Sequence, residues 1–470
     1  MPLNSAVRKS LTVTQILKAL PATLRVIKNF LSLRICSPKL KTKVVHLADL
    51  ENKERRSFSL FDACVYNANL NEKDYFVGIK YENESLRINF PLGYKRASTE
   101  EELKKDVLNL IGVLSSLSDT NESFIQNQKI AHKENVVFPI HAYLYLIKDF
   151  LTNGYYFEKE VVYTKSSNGK ANWAKTARQV KPLLQDDSVF YTEFITRKVK
   201  HNENKLISQI HQYCVWESFS KIGWLFSSFV PIKPRIKFNK SLFLSIIKTK
   251  LSQTFNEKTM LLFNYMIDMI EFLDKSSESK NFTYGTNEYE YIWESMVDSA
   301  FGEKNKTKYY PHCYWEIDGK KYSSDQLEFK QSALRPDTIM ITDKGTENQK
   351  IFVLDSKYYR YGESKQLNHL PMSGSIIKQI AYAEYIENKE NEGKLNRSKS
   401  IHNAFIMPYE SRKVDENMKI VGSARTDYKA GDKSYYKIKA ILVDTKWLMK
   451  NHNRNDKMIK ELVELIERGM

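Results

Sequence analysis

The sequence predicts a mixed α/β fold: a small α+β unit first, a mostly helical region next, and a strand-rich α/β block last. Three observations lead there. Near the start, "YFVGIKY" and "LRINFPLGY" alternate apolar and polar residues, as half-buried strands do. In the middle, "FPIHAYLYLIKDFL" and "NKLISQIHQYCVWESFSKIGWLF" repeat apolar residues at helical spacing. Late in the chain the apolar run "IFVL" ends on the polar "DSK", with helical patterns on either side. A chain of 470 residues is long enough for two or three domains, each with its own core.

Four stretches follow in order. Residues 1–45 form a basic segment; the first 48 residues carry nine Lys/Arg and no Asp or Glu. Ile16, Leu17, Leu20, Leu24 and Ile27 recur there as on an amphipathic helix. Such a segment fits a transit peptide, a membrane-surface helix, or a basic arm that lies on DNA or docks a partner. It lacks the compact apolar core and cleavage site of a secretory signal, so a bacterial cytoplasm is expected. Residues 46–135 hold the alternating strands and a helix opened by a capping box, Ser98 with Glu101, and lined by Leu103, Val107, Leu110, Ile111 and Leu114. Residues 136–275 are helical except for a strand pair near "YYFEKEVVYTK" and a basic loop, "NGKANWAKTARQVKP". Residues 276–470 read as a helix (Glu288 to Phe301), strands around Tyr314 and Thr338, a strand over Ile351 to Tyr358, a helix from Ser375 to Asn388, and a strand from Asn403 to Met407.

Composition narrows the function classes. Charged residues at 27% and hydrophobic ones at 42%, with 28 Tyr and 24 Phe, exclude a disordered chain. The formal net charge of +17 favours a polyanionic partner, nucleic acid foremost; a lysine-rich surface from an AT-rich genome is the competing reading. Cys36, Cys64, Cys214 and Cys313 are too scattered for a disulfide framework or a structural zinc. No stretch nears the ~20 apolar residues of a membrane span. No GxxxxGK[ST] is present, since "AGDKSYY" lacks the preceding glycines. The chain is therefore expected to bind no nucleotide itself and to leave any NTP dependence to a partner.

The chemistry concentrates in "RPDTIMITDKGTENQKIFVLDSKYY". Asp337 follows a proline at a strand start, and Asp355 stands behind "IFVL" with 17 residues between the two. Two carboxylates on adjacent strands can hold Mg²⁺, a hard cation that prefers oxygen ligands; Mn²⁺ can substitute. Lys357 falls on the same strand face as Asp355, because side chains alternate with period two. There it can orient a water and stabilise charge developing on a phosphodiester. The Ser356 carbonyl is a further candidate ligand. "AILVDTKWL" offers a decoy, Asp444 and Lys446, but has no Pro-Asp strand upstream.

Two helices extend the set. On "NEYEYIWESMVDSAFG", Tyr289, Ile292, Trp293, Met296 and Ala300 share an apolar face, with Glu290 and Glu294 together on its flank. Either acid can stand as a third ligand or as a solvated edge charge. "SIIKQIAYAEYI" sets Gln379 and Tyr382 three apart, with Lys378 beside them. In the basic loop, Lys170, Trp173 and Lys175 can contact a DNA backbone and stack on a base, or form a surface loop fixed by one tryptophan. Arg335 and Lys378 are further candidate DNA contacts.

Helix-Glu, Pro-Asp, Asp-x-Lys and Gln-helix, in that order, resemble the PD-(D/E)xK nuclease superfamily. "EYIWESM", "LRPDTIM", "FVLDSKYY", "NGKANWAKT" and "IHQYCVWESFSKIGWLF" are similar to the LlaJI-type restriction endonucleases, relatives of the McrC nuclease subunit. The resemblance covers about residues 75 to 460. It implies an αβββαβ nuclease core, Mg²⁺-dependent cleavage of double-stranded DNA, phage defence, and an McrB-like AAA+ GTPase partner docked at the N-terminal region. It also implies Asp337 and Asp355 as metal ligands, Lys357 as the catalytic lysine, Glu294 as the helix acid in competition with Glu290, and Gln379 in support. Gln379 and Tyr382 stand one residue closer than in the Q-x-x-x-Y of many relatives, so Tyr382 receives no role. A double-strand break needs two active sites, so pairing of two copies on DNA is expected. The alternative is a catalytically silent DNA-binding or partner-activating module of the same fold. A lipid-binding scaffold led by the basic N-terminal helix is a third, which makes the motif order a coincidence.

Overall fold

The computed structural model describes residues 59–66, 76–82, 85–118, 138–185, 188–202, 205–227, 229–275, 281–323, 334–392, 398–413, 416–429 and 431–468. The basic N-terminal segment and the linker after residue 118 lie outside them. The chain divides into two compact units. One joins the described residues before 119 to those from Thr283 onward, and the other runs to Phe282 from residue 138.

The first unit opens with β1 (Cys64–Val65), β2 (Val77–Glu82), β3 (Ser85–Asn89) and helix α1 (Glu100–Ser118). β2 and β3 run antiparallel, while β1 lies parallel to β3. The N-terminal cap of α1 is shifted one residue from the expected Ser98–Glu101 box. Thr99 Oγ1 accepts from the Glu102 amide at 3.2 Å, and Glu102 reaches back to the Ser98 amide at 2.9 Å. Glu101 instead pairs with Lys105, four residues on. Two adjacent hydroxyl residues and three consecutive glutamates satisfy the S/T-x-x-E pattern in two registers, and the fold uses the second.

The second unit contains α2 (Ile140–Asn153), β4 (Glu158–Ser166), α3 (Trp173–Gln179), β5 (Leu183–Gln185), β6 (Ser188–Phe190), β7 (Phe194–Asn202), α4 (Leu206–Ile222), α5 (Lys240–Ser252) and α6 (Glu257–Lys275). Helices α2, α4, α5 and α6 pack together. Nine residue pairs zip β4 to β7, and β5 and β6 form a small hairpin between them. The segment "NGKANWAKTARQVKP" is not wholly a loop. Asn172 caps α3 by accepting from the Lys175 amide at 3.1 Å, and Ala-Lys-Thr-Ala-Arg-Gln continues one short helix.

The chain then returns to the first unit with β8 (Phe282–Thr286), which joins the small sheet in the order β1–β3–β2–β8. After it come α7 (Tyr289–Phe301), β9 (Tyr314–Ile317), β10 (Lys320–Ser323), β11 (Thr338–Thr342), β12 (Gln349–Ser356), α8 (Tyr361–Ser364), α9 (Ser373–Glu392), β13 (Ser398–Tyr409), β14 (Met418–Ala424), β15 (Ile438–Asp444), α10 (Thr445–Asn451) and α11 (Asp456–Arg468). Five of these strands form the main sheet, ordered β11–β12–β13–β15–β14. The three central strands are parallel, and the two outer ones antiparallel. The strand expected around Tyr314 forms with all four of its residues exposed, but it pairs with β10 as a separate hairpin.

Central parallel strands must be covered on both faces, which their almost uninterrupted apolar runs allow. Ile339, Ile341, Ile351 and Val353 pack with Tyr382, Ala383 and Ile386 of α9. α7 packs along β11 and β12, with Ile292, Trp293, Met296, Val297 and Ala300 fully buried. Trp293 donates its indole N–H to the Ile406 carbonyl of β13 at 3.3 Å, fixing the rotation of the helix about its axis. Among the described residues no helix is long and apolar enough to cross a membrane.

Candidate active site

Register builds the site. Antiparallel pairing sets Thr338 opposite Leu354. One step outward, Asp337 and Asp355 therefore face each other across the ends of β11 and β12. Asp337 accepts a hydrogen bond from the Ser356 amide at 2.8 Å, which aims its carboxylate along the sheet edge. Lys357 Nζ lies 2.8 Å from Asp355 Oδ2, while its own amide donates to Ile406 on β13. Asp355 is only 4% exposed.

These charges sit in a poorly solvated corner. Burial first, then the neighbouring Asp355 and Glu294, push the Asp337 carboxyl well above the usual carboxylate range. Burial also pushes Glu294 up to about 7, against the pull of Lys357 and with the repulsion of Asp355. Burial opposes the charge on Lys357, but Asp355 more than offsets this and keeps its pKa above the ordinary lysine value. Of the two helix acids, Glu294 is the one whose charge acts on both aspartates. Glu290 acts on Glu294.

The remaining candidates separate by role. Gln379 is buried, and its side-chain amide donates to the Val353 carbonyl at 2.7 Å, tying α9 to the strand that carries Asp355. The Tyr382 hydroxyl donates to the Arg335 carbonyl at 3.1 Å and so fixes the Pro-Asp segment. Arg335 and Lys378 are exposed near this edge, and the Lys378 charge reaches Glu294. Lys170, Trp173 and Lys175 belong to the other unit. Trp173 is 60% exposed there, and Lys175 lies 3.3 Å from the centre of the Tyr163 ring. The decoy is built into the scaffold instead: Asp444 caps α10 through the Trp447 amide, and Lys446 pairs with Glu102 and Asp106 of α1.

Sequence reasoning missed Lys306. It donates to Asp298 at 2.6 Å and to the Asp337 carbonyl at 2.5 Å, bracing the first strand end against α7. It sits in the polar connection "GEKNKTKYY", which has no periodicity to mark it. Asn403 was missed as well. It is buried in β13 and donates to the backbone carbonyls of Gln379 and Tyr435.

The family model of the LlaJI restriction endonucleases matches residues 76–445. The chain belongs to that family. Among curated proteins, this LlaJI-family chain is 25% identical over 291 residues to the type II restriction enzyme BsuMI component YdjA of Bacillus subtilis (strain 168). The match covers 58% of each, so the chain spans little more than half the length of that relative.

The donors fit a hard divalent cation. Asp337, Asp355 and Glu294 offer oxygen donors, and the repulsion that Asp355 and Glu294 exert on Asp337 is one that a cation would relieve. Among the described residues no three His, Cys, Asp or Glu side chains form a ready-made cage. Mg²⁺ does not need one, since one or two carboxylates and its own waters suffice.

Proposed function

We propose that the chain is the Mg²⁺-dependent endonuclease subunit of a restriction system, with a PD-(D/E)xK core formed by α7, β11, β12, α9 and β13. The facing pair Asp337 and Asp355, set by strand register and joined by Lys357, carries this reading. Family membership and the likeness to a component of a type II restriction enzyme support it.

Asp337 and Asp355 would hold the ion, with Glu294 as the third acid. When bound, Mg²⁺ supplies charge to the phosphodiester and acidifies its water. Lys357, kept protonated by Asp355, donates hydrogen bonds to the attacking water and the phosphoryl oxygens; removing such a donor typically costs about 10²–10³ in rate. Gln379 and Tyr382 act at one remove by fixing the strand ends. The family implies an McrB-like AAA+ GTPase as partner. DNA contact at Lys170, Trp173, Lys175, Arg335 and Lys378 completes the reading.

Thermal unfolding tests the metal pair without relying on activity. With like charges buried together, Asp337→Asn melts higher than wild type in EDTA. At ten times its dissociation constant, Mg²⁺ stabilises wild type by about 1.4 kcal/mol, and it leaves the variant unchanged. Equal Mg²⁺ stabilisation of both proteins would contradict the assignment.

A further inference from the structure

The β9–β10 hairpin presents apolar side chains to solvent. Asp318 and Gly319 form its two-residue turn, with φ of 50° and 73°, the left-handed conformation that Asp-Gly suits in a tight hairpin. Pairing sets Ile317 opposite Lys320 and Trp315 opposite Tyr322. Side chains alternate along a strand, so Trp315, Ile317 and Lys320 share one face, while Tyr314 and Glu316 take the other. Trp315 is 67% exposed and Ile317 53%, and Lys320 is exposed beside them. Single exposed apolar residues are ordinary, but a tryptophan and an isoleucine adjacent on one face of a small ribbon mark a contact surface.

The stem of the hairpin is anchored at the edge that carries Asp337. Tyr309 is buried in the core shared by β11 and α9, and Lys306 donates to the Asp337 carbonyl. The Tyr310 phenol lies within reach of the Asp298, Arg335 and Asp337 charges. Three residues later β9 begins, and its four residues span about 13 Å. The major groove of B-DNA is about 12 Å wide and 8.5 Å deep, and it admits a two-stranded ribbon. Charge selects the occupant. Lys304, Lys308 and Lys320 are exposed along the stem and the hairpin, which favours a polyanion. A second copy would instead bring its own net charge of +17.

We propose that the β9–β10 hairpin enters the major groove of the DNA beside the bond to be cut, with Trp315 and Ile317 against the base edges and Lys320 on the backbone. The proposal deepens the nuclease reading and rests on it for the identity of the DNA. It makes Trp315 and Ile317 specificity-determining residues that stand apart from the metal pair.

The test is binding of a fluorescein-labelled duplex to the full chain in Ca²⁺, followed across salt concentrations. Trp315→Ala is expected to bind roughly tenfold more weakly with an unchanged slope of log affinity against log salt, since it removes no charge. Lys320→Ala flattens that slope by about 1. Trp315→Phe recovers most of the affinity, and all three variants melt with wild type because the side chains are exposed. On a duplex whose cytosines carry glucosylated hydroxymethyl groups, which fill the major groove, wild type binds as weakly as Trp315→Ala binds plain DNA. Wild-type affinity in Trp315→Ala, or equal binding of both duplexes by wild type, overturns the proposal. So does a Trp315→Ala variant that sediments as a smaller particle without DNA yet binds DNA normally, since the face would then join two copies. Plasmid cleavage in Mg²⁺ separates the two readings. A chain that cuts but shows no hairpin effect refutes the proposal alone, and one that shows the hairpin effects but never cuts refutes the nuclease reading alone.

Discussion

Asp355 and Asp444 show how the same short motif acquires different meanings from its surroundings. Both Asp-x-Lys sequences follow apolar strands of one sheet. At Asp355 the carboxylate faces a second aspartate, and its lysine stays at the strand end. At Asp444 the carboxylate accepts two backbone amides, from Trp447 and Ser411, both at 2.7 Å, so its acceptor capacity goes to local structure. Lys446 turns to Asp106, which is fully buried. Burial pushes the Asp106 carboxyl up despite the lysine beside it. Lys446→Met should therefore cost about 3 kcal/mol, near the low end for breaking a buried pair because Asp106 can take up a proton. Chemical denaturation checks the cost, and DNA cleavage per folded molecule should not change. What the sequence could reveal at this scale was residue type and spacing. The missing Pro-Asp strand already sets Asp444 apart in the sequence, but no pattern encodes that the Ser411 and Trp447 amides fall on its carboxylate.

At the scale of elements, periodic segments were legible. The helix expected over Glu288 to Phe301 forms over Tyr289–Phe301, and the strand at Ile351 to Tyr358 over Gln349–Ser356. Their apolar spacing is set by burial on one face or on both, so it survives in the sequence. The β9–β10 hairpin shows what does not survive. Its residues have strand character, but whether they join the main sheet depends on contacts far along the chain. The tie between α9 and β12 is another such contact. Gln379→Leu keeps the helix but leaves the Val353 carbonyl without this donor, a loss of about 1–3 kcal/mol. Denaturant midpoints measure it. Gln379→Glu should be at least as damaging, because the carboxylate cannot donate to a carbonyl.

Across the whole molecule, described segments before residue 119 and after Thr283 share one unit, as β8 joins a sheet whose other strands lie some two hundred residues earlier. Local composition carries no trace of such a pairing. The other unit has its own acid-sensitive element. His211 is fully buried, accepts the Tyr156 amide at Nδ1 at 3.0 Å, and is pushed down by burial to about 3. The folded state therefore holds it neutral, while the unfolded chain takes up a proton below the ordinary value of 6.5. Its contribution is intact above that pH and is lost as pH falls toward 3, reaching about 2 kcal/mol at pH 5. Hydrogen exchange in α2, α4 and α6 should report this loss, and His211→Gln should remove most of it.

The central claim is that Asp337, Asp355 and Lys357 cut DNA. The direct measurement incubates supercoiled plasmid with the full chain and Mg²⁺, alone and with an McrB-like GTPase and GTP. Wild type, Asp355→Ala, Asp444→Asn and an EDTA control run side by side. The account predicts cleavage by wild type and Asp444→Asn, and none with Asp355→Ala or EDTA. Cleavage that survives Asp355→Ala, or DNA binding without cleavage under every condition, would contradict it.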